Sequence, residues 1–312
     1  MRQKLIGGVM ALAVLAGWPT GLVAKDDKAT EILAATRKAI GDKKLETLKT
    51  LSVEANMQRN LGNFQNRTDV EMLLDLPDKY IRSDVSSGMM NMTLTTGFNG
   101  DRAITPAGMR AMPGGAMVIA VGPGAAAHPA EGDKPTPEQL EQTNKTSLRN
   151  SRQEISRLML GWFGATHPSL KAHYSYIGEA ESPDGKAYVI DVKDADGFAA
   201  RLFIDQNSKL PLMVTYQGRQ PRVMTMGGPG ATRVTTEQRS VSATAEEELK
   251  KLREQPMPTV EYSLFFDDWR EVDGINFPHV IRRATKGTTE EEWTITKVKV
   301  NPKLDAKKFE TK

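Results

Sequence analysis

Apolar positions along the chain switch between two periods, and each switch marks a new element. From Ala29 to Ile40, Ile32, Ala35, Ala39 and Ile40 recur at helical spacing, with Asp26 and Asp27 placed to cap the start and Gly41 to stop the end. From Leu48 the period drops to two. Leu51, Val53, Ala55 and Met57 alternate with Ser52, Glu54 and Asn56, the pattern of a half-buried strand. A turn at Leu61-Gly62-Asn63 leads to a second strand with Val70, Met72, Leu74 and Leu76 on one face, and Pro77-Asp78 turns the chain into a third, Tyr80 to Val85. Met90, Met92 and Leu94 mark a fourth, and Phe98-Asn99-Gly100-Asp101 turns into a fifth over 102–104. Short strands joined by tight turns predict an antiparallel meander.

Residues 105–136 break this rhythm with six Gly, five Pro and eight Ala among 32, and read as a long insertion. Met109, Met112, Met117, Val118, Ile119 and Val121 make it too apolar for an indifferent loop, so a lid over the mouth of the sheet is the expectation for it. A helix over 137–163 then opens with strong punctuation: Thr136 as N-cap, Pro137 at the first position and Gln139 closing a capping box. Leu148, Ile155, Met159 and Trp162 place one face against a core, and Gly161 and Gly164 are read as its end. Period two returns in strands at Tyr174–Gly178, Ala187–Val192, Phe198–Ile204 and Leu210–Tyr216. A second insertion, 218–258, carries Gly, Pro, Arg and Thr and a short polar helix at Thr244–Glu254. Strands at Thr259–Trp269, Phe277–Thr285 and Glu292–Val300 complete the chain, the first two joined by Asp273-Gly274. The expected fold class is α+β: a curved, incomplete antiparallel barrel of nine or more strands, with helices covering its concave face. It forms a single domain over 25–312.

The first 24 residues alter the reading of location. Arg2 and Lys4 precede an apolar run, small residues end it at Ala24, and Lys25-Asp26-Asp27 follow, which is the layout of a signal peptide cut after Ala24. An exported, periplasmic protein is expected. Beyond that segment the chain carries 40 basic against 39 acidic residues, so nothing draws it to nucleic acid. With no cysteine, disulfides, thiolate metal sites, iron–sulfur ligation and cysteine nucleophiles are all excluded.

Catalytic chemistry finds no foothold in the sequence. Gly122, Gly124 and Ala127 imitate a dinucleotide fingerprint, but Pro129 ends any helix after one turn. Among His128, His167, His173 and His279 no pair has metal-ligand spacing, although His167 and His173 stand close enough in sequence to converge. Asp267, Asp268 and Asp273 flank one hairpin and read as solvated turn residues. No enzyme and no cofactor are expected. Methionine is abundant, at 15, with groups at Met89, Met90 and Met92, at Met109, Met112 and Met117, and at Met224 and Met226. Thioethers suit adaptable apolar surfaces, and a Met-rich copper site is the third-ranked alternative. Arg219, Arg222, Arg233 and Arg239 give the second insertion a route to contact with a membrane surface. Asn66, Asn91 and Asn144 open N-x-S/T triplets.

The most specific stretch is Phe266-Asp267-Asp268-Trp269-Arg270-Glu271-Val272-Asp273-Gly274-Ile275-Asn276-Phe277-Pro278, followed by Val300-Asn301-Pro302, Leu304-Asp305 and Phe309. Together with Arg201–Asp205, Leu210-Pro211 and the Gly97–Asp101 turn, it resembles bacterial outer-membrane lipoprotein-sorting proteins of the LolA/LolB-like superfamily. The resemblance implies a half-barrel whose apolar cavity receives acyl chains of lipids or lipoproteins in the periplasm. On strand and helix parity the expected cavity wall is Val53, Met57, Met72, Leu74, Met90, Met92, Leu158, Trp162, Val214 and Phe266. The function expected is a periplasmic, non-enzymatic carrier of lipid or lipid-modified protein. The alternative is a protein-interaction module, an envelope sensor or scaffold, with a filled interior.

Overall fold

A computed structural model describes residues 22–61, 64–86, 92–105, 136–183, 185–219 and 258–310. All but the end residues of the two predicted insertions, and with them the proposed lid and the Thr244–Glu254 helix, lie outside these residues, as does most of the signal segment; the second insertion begins later than expected, because β9 continues to Arg219. Twelve strands form one antiparallel sheet. β1 (Thr50–Leu61), β2 (Phe64–Asp75), β3 (Lys79–Ser86), β4 (Met92–Asn99) and β5 (Arg102–Ile104) step outward from the centre to one edge. Helix α3 (Pro137–Phe163) then carries the chain across to the opposite edge. From there β6 (His173–Ser182), β7 (Gly185–Lys193), β8 (Ala199–Asp205), β9 (Pro211–Arg219), β10 (Thr259–Val272), β11 (Ile275–Thr285) and β12 (Thr288–Val300) step back, until β12 pairs with β1. The first and last strands thus meet in the middle of the sheet, and α3 lies in the connection between the two edges. The sheet stays open while curving around that helix.

Register follows the predicted parity. Leu51, Val53, Ala55 and Met57 of β1 face Val298, Ile295 and Trp293 of β12 on one side and Leu74, Met72 and Val70 of β2 on the other. All point into one continuous core with Tyr80, Phe98, Leu202, Val214, Phe266 and Phe277. The hairpin turns use residues that tolerate left-handed backbone: Asp273 and Gly274 have φ of 53° and 83°, and Lys286 and Gly287 have 50° and 79°. At Gly97 (φ 151°) a Cβ would come 2.0 Å from the Tyr80 carbonyl oxygen, so β3 and β4 pair closely only because no side chain is there.

Two helices lie on the concave face. α3 has the predicted capping box, with Thr136 Oγ1 accepting from Gln139 N–H and Gln139 Oε1 accepting from Thr136 N–H. It ends at Gly164, whose φ of 64° makes the left-handed cap. Gly161 does not end it. That residue sits inside the last turn, where the ring of Phe266 occupies the space a side chain would need. α1 (Leu22–Ile40) starts seven residues before the predicted Ala29 and runs through the expected cleavage point. Asp26 and Asp27 therefore lie within the helix and do not cap it. The chain reverses after Gly41 as expected, but the left-handed residue is Asp42 (φ 44°), while Gly41 permits a close approach to Ile275. A four-residue helix, α2 (Lys43–Glu46), follows.

The C-terminal motif residues are fasteners. Asn301, at φ 53°, accepts from the Lys49 N–H at 2.7 Å and donates to the Thr47 carbonyl at 3.1 Å, locking the end of β12 to the start of β1. Asp305 caps a short 3-10 turn, 306–309, that buries Phe309 against Leu73, Ile81 and Ile104 on the convex face.

Candidate functional site

The concave face is the candidate site, because α3 bridges its two halves. α3 touches β4 and β5 near one edge and β8, β9 and β10 on the other side. Of the ten residues expected to line a cavity, Val53, Met57, Met72, Leu74, Leu158, Trp162, Val214 and Phe266 all fall in the one core cluster. Met90 lies outside the described residues, and of Met92 only its place at the start of β4 is described. Trp162 is the centre of the seam. Its ring lies 5.0 Å from that of Phe277 and 6.1 Å from that of Phe163, and it is 0% exposed.

These side chains fill the interior. Among the described residues, the cavity within the concave face measures about 60 Å³, well below the roughly 300–1,000 Å³ typical of ligand pockets. A second, more open hollow of about 490 Å³ lies at the sheet edge between α1 and the start of β6, bordered by Leu33, Arg37 and Tyr174. A ligand held within the concave face itself would require α3 to shift from the sheet.

The seam beneath the helices is not uniformly apolar. Tyr80 Oη, Trp162 Nε1, His167 Nε2 and Thr36 Oγ1 are buried with no hydrogen-bond partner among the described residues. Burial pushes the Tyr80 hydroxyl well above the usual tyrosine range. His167 follows α3 and packs edge-on to Phe98 at 5.3 Å. Its Nδ1 accepts from the Ser169 N–H, which assigns the ring proton to the unpartnered Nε2. Burial, aided by Arg152, lowers its pKa to about 4.

Toward one end the concave wall becomes charged. Glu291 of β12 is 2% exposed and is held by Arg59 at 2.8 Å, Arg283 at 3.0 Å and the Trp293 indole N–H at 2.6 Å. Burial raises its pKa, but Arg283, Arg59 and Arg82 outweigh that and leave it at about 2. Arg82 of β3 pairs with Asp84 and with Glu154 of α3, both at 2.7 Å, and lies 4.6 Å over the Trp293 ring. The Arg82–Glu154 pair and the bonds from Asn144 and Arg152 to the β4–β5 turn are polar ties between α3 and the sheet. Asn144, which opens one of the three N-x-S/T triplets, is thus engaged structurally.

Apolar alternation alone does not reveal this charged end. A signal was present: Arg59 continues the inward series of Met57, Arg82 that of Tyr80, Arg283 that of Ile281, and Glu291 that of Trp293. Charges in phase with an apolar series mark the place where a face stops being plain core.

The remaining candidates separate. His167 is buried, whereas His173 is exposed and stands 3.4 Å from Asp26, so the two histidines have different surroundings. Asp267 pairs with Arg282 and Asp268 with Arg270. Among the described residues no group of three His, Cys, Asp or Glu could hold a metal, and the methionine groups of the copper reading lie mostly outside these residues. No described helix is long and apolar enough to cross a membrane.

No protein-family sequence model matches the chain, and no curated protein matches it. Solved structures do. A LolA superfamily protein from Nitrosomonas europaea matches over 91% of this chain and 97% of its own, at 9% identity and a TM-score of 0.48. A Vibrio parahaemolyticus domain described as an outer membrane lipoprotein-sorting protein gives the same coverages at 9% identity and 0.44. A DUF1329 family protein from Desulfovibrio piger covers 90% of this chain and 97% of its own at 10% identity and 0.41. These are similarities of architecture and carry no correspondence of residues or activity. The chain is an open, curved antiparallel sheet with helices on its concave face.

Proposed function

We propose that this protein is an exported, periplasmic and non-enzymatic binding protein that takes a lipid or lipid-modified protein against its concave face, with α3 as a displaceable cover. The observation that carries this reading is the composition of the α3 seam. Apolar wall residues from both halves of the sheet meet beneath one helix, and Tyr80, Trp162, His167 and Thr36 leave polar atoms unpartnered there. Each such atom costs about 1–3 kcal/mol, so the closed seam is held less firmly than its buried area suggests. Moving α3 aside would expose Val53, Met72, Leu74, Val214 and Phe266 as an apolar trough. Native mass spectrometry of gently purified protein, with titration of a fluorescent fatty acid into the delipidated form, tests this. Stoichiometric uptake supports the carrier; a protein always free of lipid and unable to take up the probe removes it.

A second reading is favoured by one observation: among the described residues the cavity within the concave face measures only about 60 Å³. A sheet with a permanently filled core would serve as a protein-interaction module. Periplasmic crosslinking that captures one stoichiometric protein and no lipid would favour it.

A further inference from the structure

The cavity at the charged end of the concave face is bordered by Arg82, Arg157 and Arg283 and by Glu154 and Glu291, so one positive charge is in excess. The other charges are accounted for. Glu291 sits between Arg59 and Arg283, and Arg82 lies between Asp84 and Glu154. Arg157 is left over.

Arg157 projects from α3, and among the described residues it forms no ion pair. Its Nη2 makes one bond, 3.3 Å to Gln153 Oε1, and its Nε is buried with no partner. The guanidinium lies 4.3 Å from the centre of the Tyr216 ring and 5.6 Å from that of Phe198. Stacking satisfies the face of a guanidinium but not its edge, where five N–H groups point. Burial lowers its pKa, the direction expected of a cation lacking a full counter-charge. Beside it, the Tyr216 hydroxyl makes no hydrogen bond among the described residues. The rest of the lining is apolar: Leu158, Leu264, Ile281 and Trp293. Glu154 is 38% exposed, so the cavity reaches solvent on the α3 side.

We propose that this cavity is an oxyanion subsite, in which the Arg157 guanidinium and the Tyr216 hydroxyl receive the carboxylate or phosphate head of a ligand whose apolar part runs toward Leu158, Leu264 and Ile281. An oxyanion supplies the missing negative charge and accepts from the unused N–H edge, a bidentate match that the planar guanidinium favours. The tail rests on the carrier reading above; recognition of the head does not.

The test is calorimetric titration of the full chain with palmitate, methyl palmitate and inorganic phosphate, repeated on Arg157→Gln and Arg157→Lys. The wild type should bind palmitate at least tenfold more tightly than the ester. That preference should vanish in Arg157→Gln and be kept only in part in Arg157→Lys, which retains the charge but not the planar fork. Without ligand, Arg157→Gln should melt at or above the wild-type temperature, because it removes a half-buried cation that has no ion pair among the described residues; a merely structural arginine would melt lower. Equal binding of acid and ester by the wild type overturns the oxyanion subsite and leaves the carrier standing. Phosphate binding that depends on Arg157, with neither lipid taken up, supports the subsite and removes the carrier. Binding of neither palmitate nor phosphate overturns both. If Arg157→Gln does not fold, the acid-to-ester ratio in the wild type and in Arg157→Lys decides.

Discussion

Gly161 of α3 leaves room for the Phe266 ring of the sheet: a Cβ on Gly161 would stand 1.9 Å from Cζ of that ring. Phe266 is 1% exposed, so its ring has nowhere to turn. The absence of one methyl group therefore sets how deeply the cover seats. Gly161→Ala should wedge α3 outward. Alanine is the better helix former by about 1 kcal/mol, but overpacking a buried ring costs about 1–3 kcal/mol, and the clash should win. Thermal unfolding should show a lower Tm, and fatty-acid uptake should be faster than in the wild type. A variant as stable as the wild type, with unchanged uptake, would show that the contact yields without moving the helix.

Glu291 gives the fold an acid limit. Its folded pKa of about 2 lies below the ordinary 4.5, so the unfolded chain binds the proton more readily. Its contribution is present in full above pH 4.5 and is lost as pH falls from there toward 2, amounting to about 3 kcal/mol. Glu291→Gln should cost about 3 kcal/mol at pH 7, because Arg59 and Arg283 lose their shared counter-charge, and should flatten the stability curve in that window. Denaturant titrations at stepped pH measure both effects.

His167 acts in a higher window. Its pKa falls from 6.5 ordinarily to about 4 in the fold, so the unfolded chain again takes the proton first. Stability is complete above pH 6.5 and declines between pH 6.5 and 4 by up to about 3 kcal/mol. Because His167 directly follows the cover helix, the loosening should be local: α3 amides should exchange faster at pH 5 than at pH 7, after correction for intrinsic rates. In His167→Gln that difference should disappear.

The C-terminal motif should prove structural. Asn301 joins the end of β12 to the segment before β1 through Lys49 and Thr47. Asn301→Ala should cost about 2 kcal/mol from the lost hydrogen bonds and the strained φ, with ligand affinity unchanged once the protein is folded. A selective loss of binding would place this motif in the site.

Much of this architecture was legible in the chain because its signals are local. Alternation in β1 to β3, Asp273-Gly274, and the Thr136-Pro137-Gln139 cap each act over a few residues and survive into the fold. Two kinds of feature were not. Gly161 resembled a helix end because its reason, the Phe266 ring, lies about a hundred residues away in sequence. The inward-facing charges read as surface because alternation shows only in apolar residues; Arg59, Arg82, Arg283 and Glu291 become a cluster only when β1, β3, β11 and β12 come together. Parity also identified residues facing the interior without saying whether that interior is empty, since a packed core and a closed trough have the same alternation.

Hydrogen–deuterium exchange with and without one equivalent of palmitate tests the central claim, that α3 is a displaceable cover over an apolar binding face. Palmitate should lower protection across 148–163 while β1, β2 and β12, the centre of the sheet, keep theirs. Unchanged protection in α3 at saturating palmitate, or loss spread evenly over helix and sheet, would contradict it.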